Sequence, residues 1–573
     1  MEAADHPNLI AALDSGRGST DEGFSFLTGV GREEFLSWDC LRTEAMNRAA
    51  HLRALGLREG DCLAMVMPDG PDFVPTFLGA AWAGVIPVPL YPPLSVGKLD
   101  AYLETLVAIM NKVEPLYLAI DANLEGRLGS AAARVPTLKG TITAEALRAE
   151  APASAEREPA DLGPDDIAFL QFTSGSTSTP KGVVVTHGSL RANTWAIMRD
   201  GLNANSLTDR GVSWLPLHHD MGLIGFVLGP VFHKVPVTFI PTLSFAKNAT
   251  IWLETIHKVR GTISFAPNFA YALAARRART LQMSKWDLSC MRVFGCGAEP
   301  INPGTMRAFV EKFSVCGVKP EMLLPSYGLA EATLAVSFAG LDERLSTDIV
   351  ARHTYEMAKR AETVSWASDQ AIEFVSCGRA FPAHEVAAFD EGGHRLGDRQ
   401  VGELRVRGPS IARGYYKDPE SSGESFAGGW LRTGDLGYQV NGNIYVTGRK
   451  KDLIIINGRN YDPQSIEWLA DDVPEVRKGS TVAFSVPGVA SEALVVIAES
   501  RTAHPEVLAE TIQQRINEHL QLIASDVVIA PPGSLPKTSS GKIQRLKTRQ
   551  QYVAGTMRGI GCSDDTDRRR RAV

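Results

Sequence analysis

The sequence predicts a layered α/β protein with a large N-terminal domain, built from several subdomains, and a small α+β domain at the C-terminus. Apolar residues alternate between helical and strand spacing along most of the chain, which is typical of helices packed on sheets. The chain has 573 residues, which is more than one hydrophobic core normally holds. After Gly448 the hydrophobic pattern changes again, so we expect a separate domain to begin there.

The first elements predict a strand–helix–strand unit. Glu34–Leu57 has the apolar spacing of a helix, and Asp61–Met67 predicts a buried strand. A helix over Phe73–Ala83 and a short strand over Val85–Val88 complete the unit. Residues 149–165 are rich in Ala, Pro and charge and predict a surface linker.

The later elements predict two further parts of the chain. Ile167–Phe172 predicts a strand, and a second strand (VVVTH) follows a loop of small residues before Ser189 opens a helix. Short strands between Gly turns predict a β subdomain, a small barrel, over about 375–447, which ends an N-terminal domain of residues 1–447. Mixed helix and strand patterns predict a C-terminal domain over 448–560, and 561–573 is expected to be a disordered tail.

The composition excludes several classes of protein. Lys and Arg total 59 against 65 Asp and Glu, a net charge of −6, which argues against a dedicated nucleic-acid binder. The longest apolar stretches are interrupted by proline or too short to span a bilayer. The first residues lack the basic and apolar regions of a signal peptide. Seven scattered cysteines without a CxxC pair suit a reducing compartment, so we expect a cytoplasmic protein.

The segment TSGSTSTPKG, residues 173–182, is the strongest single motif. Small residues let backbone amides surround phosphate oxygens, hydroxyl groups add donors, and Lys181 adds positive charge. The alternative is a mobile Ser/Thr linker, but such linkers rarely lie between two core strands. The segment is not the phosphate loop of P-loop NTPases, because Pro180 precedes the lysine and Gly182 follows it.

The TSGSTSTPKG segment resembles the signature of the adenylate-forming superfamily, which includes acyl-CoA synthetases, luciferases and amino-acid adenylation domains. Six more segments resemble motifs of that superfamily and occur in order. They are LPLHHDMG at 215–222, GCGAEP at 295–300, SYGLAEAT at 326–333, RTGD at 432–435, GRKKDLIIINGRNYDPQSIE at 448–467 and PKTSSGKIQR at 536–545.

The resemblance implies that a carboxylate attacks the α-phosphorus of ATP and that pyrophosphate leaves. Glu331 would hold Mg²⁺ beside the phosphates, Lys542 would reach the α-phosphate and the carboxylate, and His219 would lie beside the carboxylate. The implied ATP- and AMP-binding residues are Thr173, Ser174, Gly175, Ser176, Thr177, Lys181, Gly297, Ala298, Glu299, Tyr327, Gly328, Asp435 and Arg449.

Several of these assignments have a plainer alternative. Tyr327 would stack on adenine, although by residue type it could be an ordinary core tyrosine. Asp435 would accept the ribose hydroxyls with its two carboxylate oxygens, and Arg449 would approach the ribose. Asp452 fits the hinge about which the small domain rotates, or it is a simple turn residue. Ala330 departs from the family pattern, because many relatives have a threonine there.

The sequence also indicates the class of acid. Met221, Ile224 and Leu228 have the i, i+3, i+7 spacing of one helical face. They are either plain core or, beside His219, the wall of an acyl channel. The FDxS-type aspartate that pairs with an amino-acid ammonium group in amino-acid adenylation domains is missing, so a fatty acid is favoured.

Three functions stay open. Several motifs, and a polar insertion near 342–370, resemble fatty acyl-AMP ligases, which pass the acyl group to the phosphopantetheine arm of an acyl carrier protein. A fatty acyl-CoA synthetase would use coenzyme A instead, and an inactive relative would only bind nucleotide. Only 31 residues follow Lys542, too few for a carrier domain, so the carrier protein is expected to be a separate chain.

Overall fold

The fold is described from a computed structural model. The structure describes residues 5–29, 32–93, 99–173, 180–366, 368, 371–456, 459–487, 492–538, 541–557 and 559. The predicted tail, 561–573, lies outside these ranges. Within them, no helix has both the length and the apolar character needed to cross a bilayer.

The strands in chain order are β1 (Gly23–Gly29), β2 (Arg32–Ser37), β3 (Cys62–Val66), β4 (Ile86–Leu90), β5 (Tyr117–Ile120), β6 (Gly140–Thr143), β7 (Ile167–Thr173), β8 (Lys181–Thr186), β9 (Gly211–Ser213), β10 (Val237–Phe239), β11 (Ile263–Ala266), β12 (Val293–Cys296), β13 (Leu323–Gly328), β14 (Ala335–Phe338), β15 (Thr347–Ala351), β16 (Ala371–Val375), β17 (Arg379–Ala380), β18 (Glu385–Phe389), β19 (Gly402–Arg407), β20 (Leu431–Val440), β21 (Asn443–Arg449), β22 (Ile454–Ile456), β23 (Arg459–Tyr461), β24 (Val476–Pro487), β25 (Glu492–Ser500) and β26 (Asp526–Ala530).

The α-helices are α1 (Leu9–Asp14), α2 (Trp38–Ala54), α3 (Phe73–Trp82), α4 (Leu99–Val113), α5 (Glu125–Ala132), α6 (Ala144–Arg148), α7 (His187–Trp195), α8 (Asp220–Leu223), α9 (Gly229–His233), α10 (Thr242–Lys247), α11 (Thr250–Val259), α12 (Asn268–Arg277), α13 (Thr280–Met283), α14 (Pro303–Phe313), α15 (Arg352–Ala358), α16 (Pro419–Ser425), α17 (Pro463–Asp471), α18 (Pro505–Leu520) and α19 (Arg545–Val553). Two π-helical turns span Ala196–Gly201 and Ile224–Leu228, and short 3₁₀ turns include Ala330–Ala332 and Lys450–Asp452.

The predicted layered α/β architecture is confirmed. A nine-stranded sheet has the order β17-β14-β13-β12-β11-β9-β10-β1-β2, and β4-β3-β5-β6 form a second, parallel sheet. The four strands of the second sheet alternate with helices α3, α4 and α5, as the strand–helix–strand pattern predicts. The first predicted helix differs at its start, because residues 34–37 belong to β2 and pair with β1. Ser37 then caps α2 by accepting a hydrogen bond from Cys40 N.

The β subdomain is a four-stranded antiparallel sheet of order β18-β19-β20-β21. The predicted small barrel is an open sheet instead, since four strands are too few to curl into a closed cylinder. The last strand, β21, continues to Arg449, two residues beyond the predicted end of the N-terminal domain.

The C-terminal domain is a three-stranded sheet, β24-β25-β26, with α17 and α18 on one face. Apolar residues fill both faces of this sheet, and the second face packs against α19. Helix α17 begins at Pro463, directly after Asp462. This arrangement places the loop before α19, which carries Lys542, against the N-terminal domain.

Candidate active site

A cavity of about 2010 Å³ lies between the N-terminal and C-terminal domains. Residues from all seven motifs contribute to its wall, although the motifs are spread over more than 370 positions of the sequence. The predicted site residues that line it are Thr173, Lys181, His219, Met221, Ala298, Glu299, Tyr327, Gly328, Glu331, Asp435, Arg449, Asp452 and Lys542.

The phosphate loop leaves and re-enters the fold through two paired strands. Thr173, the last residue of β7, pairs with Lys181, the first residue of β8. Residues 174–177 of the predicted loop lie outside the described residues. The Lys181 ammonium lies 4.7 Å from the ring centre of Tyr415, whose hydroxyl donates to Glu331 Oε1 at 2.8 Å. The Lys181 ammonium and the Glu331 carboxylate therefore both contact Tyr415, beside the strand ends that flank the loop.

Glu331 fits the predicted magnesium ligand. The described residues contain no cluster of three or more His, Cys, Asp or Glu side chains suited to a metal ion. Mg²⁺ that arrives with a nucleotide needs only one or two carboxylates, because phosphate oxygens and waters complete its shell. A single cavity-facing glutamate suits that kind of site.

A tyrosine and an arginine both hold Asp435 at the predicted adenosine end. The Tyr327 hydroxyl donates to Asp435 Oδ2 at 2.8 Å, and Arg449 Nε lies 3.0 Å from Asp435 Oδ1. Burial and the nearby Asp435 raise the pKa of Tyr327, while Asp435 raises the pKa of Arg449. Each carboxylate oxygen keeps a second lone pair, so Asp435 can still accept two ribose hydroxyls.

The backbone beside this carboxylate is tightly packed. A Cβ on Gly297 would lie 2.4 Å from Ser326 Oγ, and one on Gly328 would lie 2.0 Å from Leu334 O. Ala298 adopts a φ of +72°, which is uncommon for a residue with a Cβ. Gly297 lies behind the cavity wall and Ala298 faces the cavity. A flat ring can approach such a backbone closely because few side-chain atoms intervene.

His219 is oriented by the aspartate that follows it. His219 Nδ1 lies 2.6 Å from Asp220 Oδ1, and the same oxygen accepts a hydrogen bond from Met221 N. Burial opposes ionisation of Asp220, but His219 and Lys542 outweigh it and lower the pKa of Asp220. The negative Asp220 orients the imidazole through Nδ1, and among the described residues Nε2 has no hydrogen-bond partner.

Lys542 lies near two carboxylates. Burial lowers the pKa of Lys542, and Glu299 and Asp220 oppose that shift. Burial also raises the pKa of Glu299, against the effect of Lys542. A half-buried ammonium group near two carboxylates can bind substrate oxygens of the same charge in their place.

The loop that carries Lys542 packs directly on α12. Gly541 has a φ of +90°, and a Cβ on it would lie 2.7 Å from Phe269 Cζ. Lys542 N donates to Thr538 Oγ1, and Thr538 N donates to Lys542 O. The ring of Phe269 in turn lies edge-on to the buried Trp214. A glycine is therefore required where this loop, the lysine loop with Gly541 and Lys542, packs on the N-terminal domain.

The predicted hinge residue is bound to the C-terminal domain. Asp452 pairs with Arg545 Nη1, and Arg545 Nη2 donates to Glu467 Oε1 at 2.8 Å. Three residues earlier, Arg449 is bound to Asp435 of the N-terminal domain. Arg449 and Asp452 therefore have partners in different parts of the chain, Asp435 and Arg545, and the hinge at Asp452 stays a prediction.

The predicted acyl-channel stripe is only partly on the cavity wall. Met221 lines the cavity, whereas Ile224 and Leu228 are fully buried core residues that are not on its wall. The chain forms a π-helical turn from Ile224, so α-helical spacing does not place these two residues on one face with Met221. Gly225 and Phe226 face the cavity instead. Other apolar lining residues are Ile197, Met198, Leu202, Val235, Val237, Phe265 and Leu334.

The insertion near 342–370 packs on the β subdomain. Asp348 accepts hydrogen bonds from Tyr438 (2.9 Å) and Arg399 (3.0 Å). Its helix α15 also contacts β23 of the C-terminal domain. Burial together with the nearby Asp462 raises the pKa of Tyr355, a residue of α15. The insertion thus contacts both sides of the domain boundary.

Four residues of this site have no role in the predictions from sequence. Asp220 could have been found, because it directly follows His219 within a quoted motif. Arg545 could have been found in the same way, because it ends the motif at 536–545. Tyr415 and Phe269 could not, because their partners Glu331 and Gly541 are 84 and 272 positions away. No local pattern connects residues at such separations.

Comparison with known proteins identifies the architecture around this cavity. The family model for "AMP-binding enzyme" matches residues 3–416. The chain belongs to the AMP-binding enzyme family. This AMP-binding enzyme is 36% identical to a putative acyl-CoA synthetase of Caulobacter vibrioides, over 96% of both chains. It is 32% identical to the medium-chain-fatty-acid–[acyl-carrier-protein] ligase JamA of Moorena producens, over 94% of this chain and 93% of JamA.

A solved structure is also similar to this chain along nearly its whole length. A structure from studies of fatty acyl-adenylate ligases of E. coli and L. pneumophila superposes with a TM-score of 0.91, at 36% identity, over 97% of this chain and 99% of that one. This AMP-binding enzyme is therefore a ligase of the group that contains fatty acyl-AMP ligases and acyl-CoA synthetases. The predicted superfamily and enzyme class are confirmed.

Proposed function

We propose that this enzyme activates a medium- or long-chain fatty acid with ATP and transfers the acyl group to the phosphopantetheine thiol of an acyl carrier protein. In the first step a carboxylate oxygen bonds to the α-phosphorus, and the bond from that phosphorus to the bridging oxygen breaks. The products are fatty acyl-AMP and pyrophosphate. In the second step the thiol sulfur bonds to the acyl carbon, AMP leaves, and the thiol proton passes to solvent.

The observation that supports the adenylation step is that three sets of charged side chains line one cavity. Lys542 lies near the Asp220–His219 pair, where the carboxylate and α-phosphate would meet. In this proposal Lys181 and Glu331 would lie at the diphosphate end, and Asp435 would lie at the ribose end. Two anions must approach each other in this reaction, so positioned cations and donors are what the chemistry requires.

The apolar part of the cavity supports a fatty acid as the substrate. Met221, Gly225 and Phe226 lead from His219 into a wall of aliphatic and aromatic side chains. Burying an acyl chain there would contribute about 0.8 kcal/mol for each CH₂ group. Mg²⁺, held by Glu331 and phosphate oxygens, would neutralise part of the charge on the leaving diphosphate.

Two observations favour a carrier protein as acceptor. JamA, a relative that matches nearly the whole chain, is named for ligation to an acyl carrier protein. The insertion also contacts both the β subdomain and the C-terminal domain, so it can restrain the rotation that an acyl-CoA synthetase needs. Coenzyme A stays as the second candidate acceptor, because the relative from Caulobacter vibrioides is named a putative acyl-CoA synthetase.

The test measures the two half-reactions separately. Dodecanoate-dependent ATP–pyrophosphate exchange reports adenylate formation. Purified protein is then given dodecanoate, ATP and either coenzyme A or a holo acyl carrier protein, and the thioesters are quantified. We expect exchange and acylated carrier, with little acyl-CoA. Rapid acyl-CoA formation would reject the carrier protein as the acceptor. Absence of exchange would reject adenylate formation and indicate an inactive relative that only binds nucleotide.

A further inference from the structure

An arginine cluster stands at the outer end of the helix that forms one wall of the active-site cavity. Phe269, Ala272 and Ala275 of α12 line the cavity. Arg276 and Arg277, in the last turn of the same helix, are exposed. The cavity wall therefore continues directly into a basic surface.

The positive charge of this cluster is not neutralised within the described residues. Neither Arg276 nor Arg277 forms an ion pair with a carboxylate there. Strand β24 packs against α12 and brings a third guanidinium, Arg477, which is itself paired with Glu499 at 2.9 Å. Partial burial and the neighbouring Arg477 and Arg277 lower the pKa of Arg276. Like charges held together in this way favour an anionic partner.

The position of the cluster suits a partner that delivers a tethered thiol. Arg276 is seven residues from Phe269, about 10 Å along the helix axis. Phe269 is the residue on which the Lys542 loop packs. A protein bound at the arginines would therefore stand close enough for a flexible arm to reach the reacting carbonyl. Both arginines belong to the N-terminal domain, so they keep their place when the C-terminal domain rotates.

We propose that Arg276 and Arg277 form the docking surface for the acidic face of the acyl carrier protein. This inference rests on the proposed carrier acceptor and adds where the carrier binds. The two arginines are exposed in the last turn of α12, so they can contact a broad acidic surface. Coenzyme A, the second candidate acceptor, is also anionic, so it serves as a comparison in the test.

The test uses the full-length protein with both arginines reversed, Arg276→Glu with Arg277→Glu. The matched control is Arg58→Glu with Arg127→Glu, two exposed arginines of the β3–β6 subdomain that likewise lack an ion pair among the described residues. Four rates are measured for each protein: ATP–pyrophosphate exchange, and acyl transfer to a purified holo acyl carrier protein, to free pantetheine and to coenzyme A.

We expect kcat/KM for the carrier to fall about 10-fold or more in the α12 variant only, with a weaker dependence on salt than the wild type shows. Exchange and transfer to pantetheine should not change. Carrier transfer at the wild-type rate would overturn the docking surface, and so would an equal loss with pantetheine or a loss seen only with coenzyme A. Wild-type protein that forms the adenylate but acylates no carrier would overturn the acceptor and the docking surface together.

Discussion

The contact between Gly541 and Phe269 makes the lysine loop sensitive to a single methyl group. In the structure Gly541 has a φ of +90°, and a Cβ would lie 2.7 Å from Phe269 Cζ. Gly541→Ala therefore strains the backbone and also pushes the loop off α12. Because Lys542 is the next residue, the substitution should slow acyl-AMP formation, the step that needs Lys542 in the cavity.

The expected decrease in rate follows from the backbone strain and from the close contact with Phe269. An L-residue in the left-handed region costs about 1–2 kcal/mol, and the contact below 3 Å adds to that cost only while the loop is docked. A difference of 1–2 kcal/mol corresponds to a rate change of about 5–30-fold. We expect acyl-AMP formation to slow by at least that range, and transfer from preformed acyl-AMP to change little.

Single-turnover formation of acyl-AMP is the assay, and Gly533→Ala is the control. Gly533 has nearly the same conformation, with a φ of +93°, but a Cβ there would meet nothing within 4 Å. Phe269→Ala should relieve the contact, so Gly541→Ala should cost less in that background. The reasoning is refuted if Gly541→Ala and Gly533→Ala slow adenylation equally, or if the cost is the same without the Phe269 ring.

Two further predictions concern single charged groups. Lys542→Ala should leave the fold intact and lower dodecanoate-dependent ATP–pyrophosphate exchange by at least ~10²-fold, the scale for losing one transition-state donor; unchanged exchange in a folded variant would contradict the role. Burial raises the pKa of Asp462 to about 8, so its contribution to stability is full below pH 4 and is lost as the pH rises towards 8. Asp462→Asn should therefore raise the free energy of unfolding relative to wild type at pH 8, and less so at pH 4, in urea titrations at both values.

Local sequence patterns predicted several individual helices and strands. The helix over α3, the buried strand β3 and the strand β7 lie within a residue or two of the predicted ranges, because each pattern depends on the alternation of side chains along one segment. The start of α2 was predicted too early, since pairing of β2 with β1 is decided by a strand elsewhere in the chain. The π-helical turn at Ile224 was missed for a similar reason, because side-chain spacing assumes one helical geometry.

The sequence by itself determined the superfamily and the chemical groups of the site, because each motif carries its residue types within a few adjacent positions. Only the tertiary structure decided which groups touch. Tyr327 meets Asp435 across 108 residues, and Gly541 meets Phe269 across 272. It also decided that Gly225 and Phe226, rather than Ile224 and Leu228, line the cavity. Contacts of this kind depend on how separate segments pack in space, and no pattern within one segment records that packing.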